Sequence, residues 1–162
     1  MSAACLVIAD ESSEFPAALA YAAHLAKAGG WRLLMLHVIE PSEPAPWVTV
    51  SEEMQRQAQA GAEALLERFA GEAWAEAGVQ AEGVIREGEL RPELRRLIDN
   101  DHQIRLVVLA AAAGAGGPGP LVSSIAKGQG WASRAVPVMI VPGALSKEEI
   151  RALALPASPA PA

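Results

Sequence analysis

The sequence has little cysteine, and a chain of this length does not require disulfides in order to fold. Cys5 is the only cysteine among 162 residues, so no disulfide can form within the chain. A domain of this length buries roughly two thirds of the surface that its unfolded chain exposes, which is enough for folding without a covalent link. A reducing compartment suits such a chain, and we expect a cytoplasmic location. Because Cys5 lies in an apolar run, we interpret it as a core residue rather than a nucleophile.

Positive charge and long apolar runs are also scarce. The chain has 13 Lys and Arg against 19 Asp and Glu, a net charge of −6. Binding through a phosphate backbone needs a basic face, so we expect no nucleic-acid partner. The longest apolar stretch, residues 106–115, is about half of the ~20 residues that a membrane span requires. The first ten residues lack the basic start of a secretory signal, and we expect a soluble chain with no membrane partner.

Apolar runs alternate with helical patterns along the chain, which is typical of βα units in a parallel sheet. The alternation in the third run predicts a half-exposed edge strand, and the continuous fourth run predicts a central strand covered on both faces. Sheets of this kind bind ligands at the carboxyl ends of their strands. The five predicted strands are Ala4–Ala9, Arg32–Ile39, Val79–Arg86, Leu106–Ala112 and Val138–Val141.

Two helices are predicted in the first half of the chain. Ser13 is the expected N-cap of the first helix, and Gly29-Gly30 ends it, because glycine adopts the left-handed terminal conformation without strain. Thr49 or Ser51 is predicted to cap a long second helix, after a proline-rich segment. Its expected buried stripe comprises Met54, Ala58, Ala62, Leu65 and Phe69.

The second half carries shorter helix signals. One helix is predicted over Pro92–Asp99, and a weak one, containing Gly128 and Gly130, before the last strand. Ser146-Lys147-Glu148-Glu149 is a capping box for a final short helix. We divide the chain into a domain of residues 1–145 and a C-terminal part of residues 146–162, which consists of that helix and a Pro/Ala-rich tail expected to be disordered.

The acids after the first strand suggest a magnesium site, which the residues after two other strands exclude. Asp10 and Glu11 lie where a phospho-receiver domain holds Mg²⁺ through oxygen ligands. That fold also needs an aspartate after the third strand and a lysine after the last one. The sequence has Arg86-Glu87 and Pro142 at those places. We therefore interpret Glu11 as a solvated turn residue and expect no metal site.

Histidine, serine and tryptophan form no catalytic or metal-binding pattern. The histidines fall on a predicted helix, strand and loop without metal-ligand spacing, and we interpret His24 and His102 as surface residues and His37 as a strand residue. No Ser–His–Asp arrangement is apparent, so we expect a protein that is not an enzyme. The four tryptophans are interpreted as packing residues: Trp31, Trp47, Trp74 and Trp131.

A glycine-rich loop from Gly114 to Pro120 follows the fourth predicted strand. It contains G-x-G-x-x-G, but a dinucleotide fingerprint needs a βαβ unit with an acid at the end of the next strand, and the last strand ends at Val141 without one. A P-loop lysine is also missing. We interpret the segment as a flexible loop, whose glycines still allow backbone amides to approach a phosphate.

Six segments in a fixed order carry a resemblance to a known family. They are LVIAD at residues 6–10, the apolar pattern of residues 17–26, LHV at 36–38, REG at 86–88, LVV at 106–108 and VPVMIVP at 136–142. Together they resemble the universal stress protein family from Ala4 to Pro142. The resemblance implies an open, doubly wound, five-stranded parallel sheet of order 3-2-1-4-5 with helices on both faces. It also implies a homodimer paired through the last strand, Val138–Val141, unless the helix after Ser146 covers that edge.

Members of that family that bind ATP share the motif G-x2-G-x9-G-[ST] after the fourth strand. When the sequence is aligned to this motif in one register, which we call the first frame, all three glycines are replaced and only the hydroxyl is kept. A frame shifted by one residue restores one glycine and loses the hydroxyl. The first frame places Ala110, Ala113, Ser123 and Ser124 at the motif positions, and the second places Ala111, Gly114, Ser124 and Ile125.

The resemblance also implies an adenine side of the site. Asp10 matches the acid near the base and ribose, and Val38 matches the place whose backbone contacts adenine. On the phosphate side, a Cβ obstructs close approach of the backbone, and an alanine held at positive φ costs on the order of 1 kcal/mol. We therefore expect a non-catalytic stress-response or regulatory module that needs no cofactor, binds ATP weakly or not at all, and acts through a protein partner. The alternative is a competent nucleotide-binding module that uses the glycine-rich loop.

Overall fold

The computed structural model describes residues 2–41 and 48–154, in which strands and helices alternate. The strands are β1 (Ala4–Ile8), β2 (Arg32–Ile39), β3 (Ala81–Glu87), β4 (Ile104–Ala111) and β5 (Val138–Pro142). The helices are α1 (Phe15–Gly29), α2 (Val48–Ala77), α3 (Leu90–Asn100), α4 (Pro120–Ala126) and α5 (Lys147–Ala154). The five predicted strands are confirmed, each with its ends within two residues of the predicted ones.

All neighbouring strands pair in parallel, in the order β3-β2-β1-β4-β5. β1 lies at the centre, and all five of its residues are buried. β3 and β5 form the two edges, which confirms the predicted edge character of the third strand. The strand order that the resemblance implies is therefore confirmed.

Helices cover both faces of the sheet, as predicted. Side chains alternate between the faces of a strand, so Cys5 and Val7 pack with α1 and α2, while Leu6 and Ile8 pack with α3 and α4. Cys5 is fully buried, and this burial raises the pKa of its thiol to about 12. A thiol with such a pKa stays protonated at neutral pH, which confirms Cys5 as a core residue.

The start of α1 differs from the prediction. Its N-cap residue is Glu14, and no side chain caps the helix. Ser13 is a poor cap here because its hydroxyl would need the amide of one of the next residues, and Pro16 has none. The end of α1 is as predicted: Gly30 has a φ of 65°, and its N–H donates to the carbonyl of Ala26.

The first turns of α2 also differ from the prediction. The helix begins at Val48, so neither Thr49 nor Ser51 is its cap. The predicted stripe is buried only in its second part: Ala62, Leu65 and Phe69 are buried, whereas Met54 is 40% exposed and Ala58 is exposed. Every residue from 52 to 58 is exposed, so no other described element covers this part of the helix. A helical period identifies an apolar face, but only a neighbouring element can bury it.

The later helices confirm one prediction and correct another. α4 ends at Ala126, so the weak helix does not include Gly128, whose φ is 76°, or Gly130. The capping box is confirmed: the Glu149 amide donates to the Ser146 hydroxyl and the Ser146 amide to the Glu149 carboxylate, both at 3.2 Å. α5 packs chiefly against α1, with Ile150 fully buried. The predicted disorder of residues 156–162 concerns a segment outside the described residues.

Two interpretations of polar and aromatic residues are wrong. The His24 side chain is only 10% exposed and contacts Glu76, so it is not a surface residue. Trp74 is 63% exposed and does not pack, whereas Trp31 and Trp131 pack against the two cores. Periodicity alone could not reveal either outcome, since both depend on how α1 and α2 are rotated against each other. Trp47 lies outside the described residues.

Candidate functional site

A narrow cleft opens at the carboxyl ends of β1 and β4, where a doubly wound sheet holds its ligands. Its cavity volume is about 110 Å³. Ile8 and Asp10 line it at the end of β1, and Ala110 lines it from β4. The segment 118–122, at the start of α4, and Leu90 line it as well. The predicted helix began at Pro92, which is why sequence reasoning missed Leu90.

Asp10 is held at the rim of the cleft by the turn that follows β1. Its Oδ1 atom accepts hydrogen bonds from the Ser12 amide, at 2.9 Å, and from the Ser12 hydroxyl. The backbone before it is anchored to β2, because the Ala9 carbonyl contacts His37 Nδ1 at 2.9 Å. The turn therefore holds the Asp10 carboxylate, and Glu11 beside it is exposed.

The glycine-rich loop folds back on itself before α4. The Ala112 amide donates to the Pro118 carbonyl at 3.2 Å, and the Gly117 amide donates to the Gly114 carbonyl at 3.4 Å. Gly117 and Gly119 have φ values of 82° and 106°, which glycine tolerates far better than other residues. These turns place Pro118, Gly119 and Pro120 in the wall of the cleft.

The alanines at the glycine-motif positions carry no backbone strain. Among the described residues, only glycines have a positive φ, so the strain expected at Ala110, Ala113 and Ser123 is absent. Ala110 lies in β4 opposite Val141 of β5, and Ser123 lies in α4 with its amide bonded to the Gly119 carbonyl at 2.9 Å. At Ala110 and Ser123 the backbone follows a regular strand and a regular helix, in which an alanine or a serine fits without strain. Ala113 lies in the loop after β4, where its φ is not positive.

The hydroxyl of Ser124 is turned into the protein. Ser124 is 2% exposed, and its Oγ atom donates to Gln129 at 3.0 Å and accepts from the Trp131 indole N–H at 3.4 Å. Trp131 belongs to the core between α3, α4 and the sheet. Both bonds tie α4 to the segment that follows it, so the hydroxyl lies inside the protein rather than in the cleft.

The structure thus brings only part of the predicted site together. Asp10 and Ala110 line the cleft, whereas Val38, Ala113, Ser123 and Ser124 do not. Val38 is half-buried in β2, pairs with Arg86 of β3 and packs against the core on the α3 face. Among the described residues, no group of three or more His, Cys, Asp or Glu side chains could hold a metal ion.

A model of the universal stress protein family matches residues 1–142. The chain belongs to the universal stress protein family. α5 lies beyond the residues that the family model matches. A comparison with curated proteins finds no significant match.

Solved universal stress proteins share this fold. The universal stress protein UspA from Lactobacillus plantarum is 18% identical, with a TM-score of 0.68 over 86% of this chain and 97% of that one. A universal stress protein in complex with cAMP is 18% identical, with a TM-score of 0.63 over 88% and 98% of the two chains. A family protein from Arabidopsis thaliana with AMP bound is also 18% identical, with a TM-score of 0.59 over 86% and 91%. At these identities the likeness concerns the fold.

Within residues 2–41 and 48–154 of this universal stress protein, no helix is both long and apolar enough to cross a bilayer. Even α2, with 30 residues, is rich in charged and polar side chains.

Proposed function

We propose that this universal stress protein is a non-catalytic, cytoplasmic regulatory module in which ATP binding is weak or absent and whose action passes through a protein partner. The observation that carries the proposal is the size of the cleft at the carboxyl ends of β1 and β4. Its volume of about 110 Å³ lies well below the range of roughly 300–1,000 Å³ that is usual for small-molecule sites. A nucleotide does not fit there unless the walls move.

The loop before α4 is what narrows the cleft. Pro118 and Pro120 restrict the backbone on either side of Gly119, and the loop is held by the bond from the Ala112 amide to the Pro118 carbonyl. Opening the cleft for a triphosphate requires breaking this bond and moving both prolines together. That cost is subtracted from any binding free energy, so apparent affinity falls.

The Ser124 hydroxyl, which this chain keeps from the family motif, is not placed to bind a phosphate group. Ser124 bonds to Gln129 and Trp131, and turning it toward the cleft would leave the buried indole N–H without its acceptor. An unsatisfied buried donor costs roughly 1–3 kcal/mol. Asp10 in turn is engaged by Ser12, which argues against its use as a free general base.

A second candidate function is competent nucleotide binding through the glycine-rich loop. It is favoured by the nucleotides in the related structures, cAMP in one and AMP in another. Gly117 and Gly119 allow a close approach of backbone amides, provided that the loop swings out of the cleft. The two candidates differ in the state of this loop, and ATP affinity distinguishes them.

Thermal unfolding with about 5 mM ATP and Mg²⁺ tests the proposal. If the dissociation constant is ~5 mM or weaker, ATP stabilises the fold by at most about 0.4 kcal/mol. This free energy corresponds to a rise in Tm of about 1–2 °C or less. A site with a dissociation constant of about 1 μM would gain about 5 kcal/mol from the same ATP concentration and raise the Tm by roughly 10–20 °C. The related nucleotides AMP and cAMP are measured in parallel.

A rise in Tm of the larger size would contradict the proposal and support the second candidate. The same samples also test the absence of catalysis, since we expect no phosphate release above the rate of a blank. Turnover that disappears in a folded Asp10→Ala variant would show that the protein is an ATPase after all.

We also propose that two chains form a homodimer through β5. The exposed edge of the sheet supports this proposal. Ile140 is 41% exposed, and α5 packs chiefly against α1 rather than over this strand. An uncovered apolar edge invites pairing with a second chain. We expect light scattering at tens of micromolar to give about twice the 16.9 kDa mass of the chain.

A matched pair of variants locates this interface. Ile140→Glu should shift the protein toward the monomer, because it places a charge on the edge strand. Leu153→Glu changes an even more exposed residue on α5, 61% exposed, and should leave the mass unchanged. A wild-type monomer at tens of micromolar, or equal effects of both variants, would count against pairing through β5.

A further inference from the structure

A second hollow lies at the amino ends of β1, β2, β4 and β5, on the side of the sheet opposite to the cleft. Its cavity volume is about 910 Å³, which is within the usual range for small-molecule sites, unlike that of the cleft. Trp31, His102, Arg105 and Arg134 are among the residues that line it. None of these four residues belongs to the candidate nucleotide site, so the hollow has to be explained separately.

Arg105 is directed into this hollow by an irregularity in the sheet. Ala4 of β1 pairs with Ile104, and Cys5 pairs with Leu106, so Arg105 is an extra residue between two pairs. Such a β-bulge re-aims a side chain, and bulges in parallel pairs are rare. The Arg105 side chain is exposed, and no hydrogen bond or ion pair joins it to another described residue. The sheet therefore presents an unpaired guanidinium group at the hollow.

Arg134 supplies a second guanidinium group, which the protein holds in place. Its Nε and Nη2 atoms donate to the carbonyls of Ile98, Asp101 and Ile104 at 2.8–3.1 Å. These carbonyls satisfy donors but carry no full negative charge. The positive charge of Arg134 thus persists beside that of Arg105.

Carboxylates do not neutralise this hollow. Among the described residues that line it, none is acidic, although the chain as a whole has 19 acids and a net charge of −6. The nearby carboxylate of Asp101 is engaged elsewhere, since it accepts from the Gln103 amide at 3.0 Å and lies 3.9 Å from Arg32. The hollow is a local positive region of an acidic protein, and it favours an anion.

Trp31 adds a flat apolar surface to the same hollow. Its indole lies over Gly29, where a Cβ atom would come within 2.9 Å of Cδ1 and Nε1. The Trp31 amide donates to the Ala26 carbonyl at 2.9 Å, and the side chain packs against the core. The ring is thereby held in place, and indole rings bind planar groups by stacking.

We propose that this hollow binds a small planar anion, namely an aromatic or heteroaromatic ring that carries a phosphate or carboxylate group. The anionic group pairs with the guanidinium fork of Arg105, whose geometry matches both phosphate and carboxylate. Arg134 adds its positive charge, since its Nε and Nη2 donors stay bonded to the backbone carbonyls. The ring lies against Trp31. The site is separate from the cleft of the proposed function, so either can fail without the other.

Phenyl phosphate is a suitable probe, because it combines the two features in one small molecule. Its binding is followed by the NMR signals of the backbone amides and the tryptophan indole N–H groups at concentrations up to about 10 mM. Inorganic phosphate and phenol are titrated separately, and benzoate tests the carboxylate. We expect saturable binding of phenyl phosphate and benzoate that moves the Trp31 signal and leaves Trp74 unchanged, with weaker binding of phosphate and of phenol.

The decisive variant is Arg105→Gln, with Arg86→Gln as its matched control. Arg105 has no partner to lose, so the fold should be preserved, and the affinity for phenyl phosphate should fall about tenfold, the value of one charge-assisted hydrogen bond. Arg86 is an exposed arginine at the end of β3, and its replacement should change the affinity less than twofold. Absent or unsaturable binding, or equal losses in the two variants, would overturn the proposal. So would shifts confined to residues of the cleft.

Discussion

Replacing Gly143 by alanine is expected to lower the free energy of unfolding by about 2–3 kcal/mol. Gly143 lies in the turn between β5 and α5, and its amide donates to the Ala111 carbonyl at 2.8 Å. An added Cβ would contact the Cβ atom of Glu14 and lie 2.9 Å from that carbonyl and 3.1 Å from Glu14 Cα. Backbone atoms cannot move aside as a flexible side chain does, so α1, β4 and the turn would have to separate.

Urea or thermal unfolding measures this effect, and Gly130→Ala is the matched control. Gly130 also lies in a loop with a negative φ, and a Cβ there meets no atom within 4 Å. Its replacement should therefore leave stability nearly unchanged. For a chain of this size, the Gly143 variant should unfold about 4–12 °C lower. Equal stabilities of the two variants would show that the turn yields to the methyl group without cost.

Replacing Glu76 by glutamine is expected to cost about 2–3 kcal/mol, because this carboxylate joins three helices. Its side chain is 6% exposed. It accepts two hydrogen bonds from Arg151 of α5, at 2.8 and 3.1 Å, and contacts His24 of α1 at 2.9 Å. Glutamine keeps the shape but removes the charge, so it leaves a largely buried histidine and the arginine without their carboxylate.

The pH dependence of stability tests the same contact. The hydrogen bonds from Arg151 lower the pKa of Glu76 to about 2, against the effect of burial and with help from His24. A carboxyl with a lowered pKa stabilises the fold above its unfolded pKa, and this contribution is lost as pH falls toward the folded value. The wild type should therefore lose stability between about pH 5 and pH 2, and the Glu76→Gln variant should lack this component.

The control for this experiment is Glu67→Gln, which changes an exposed acid on α2. Stability should change by less than about 0.5 kcal/mol, as is usual for surface substitutions. If the difference between wild type and Glu76→Gln stays constant from pH 7 to pH 2, Glu76 does not titrate as its contacts indicate.

Strand positions could be predicted because a strand that is buried on both faces has a continuous run of apolar residues in the sequence. The run from Leu106 to Ala112 reads as a central strand, and β4 occupies that place in the sheet. The capping box at Ser146 was equally local, since two side chains and two amides complete it. Such features depend on neighbours within a few residues, so the sequence contains all the information that decides them.

The extent of burial along a helix could not be predicted in this way. Met54 and Phe69 belong to the same predicted apolar stripe of α2, yet Met54 is 40% exposed and Phe69 is 3% exposed. The difference lies in the neighbours of α2, since Phe69 contacts Phe15 of α1 with ring centroids 4.6 Å apart. His24 shows the same effect for a polar residue, because its partner Glu76 lies 52 residues further along the chain.

The sequence by itself determined the alternation of strands and helices, the absence of an internal disulfide and the loss of the family's glycines. Through the resemblance it also indicated the family and the order of the strands. Only the tertiary structure decided how the lost glycines matter. It places Ala110 in a regular strand without strain, turns Ser124 toward Trp131 and brings the loop at Pro118 into the cleft. It also aims Arg105 into a hollow beside Trp31. These outcomes depend on contacts between segments far apart in the chain, and neither the period nor the spacing of residues encodes such contacts.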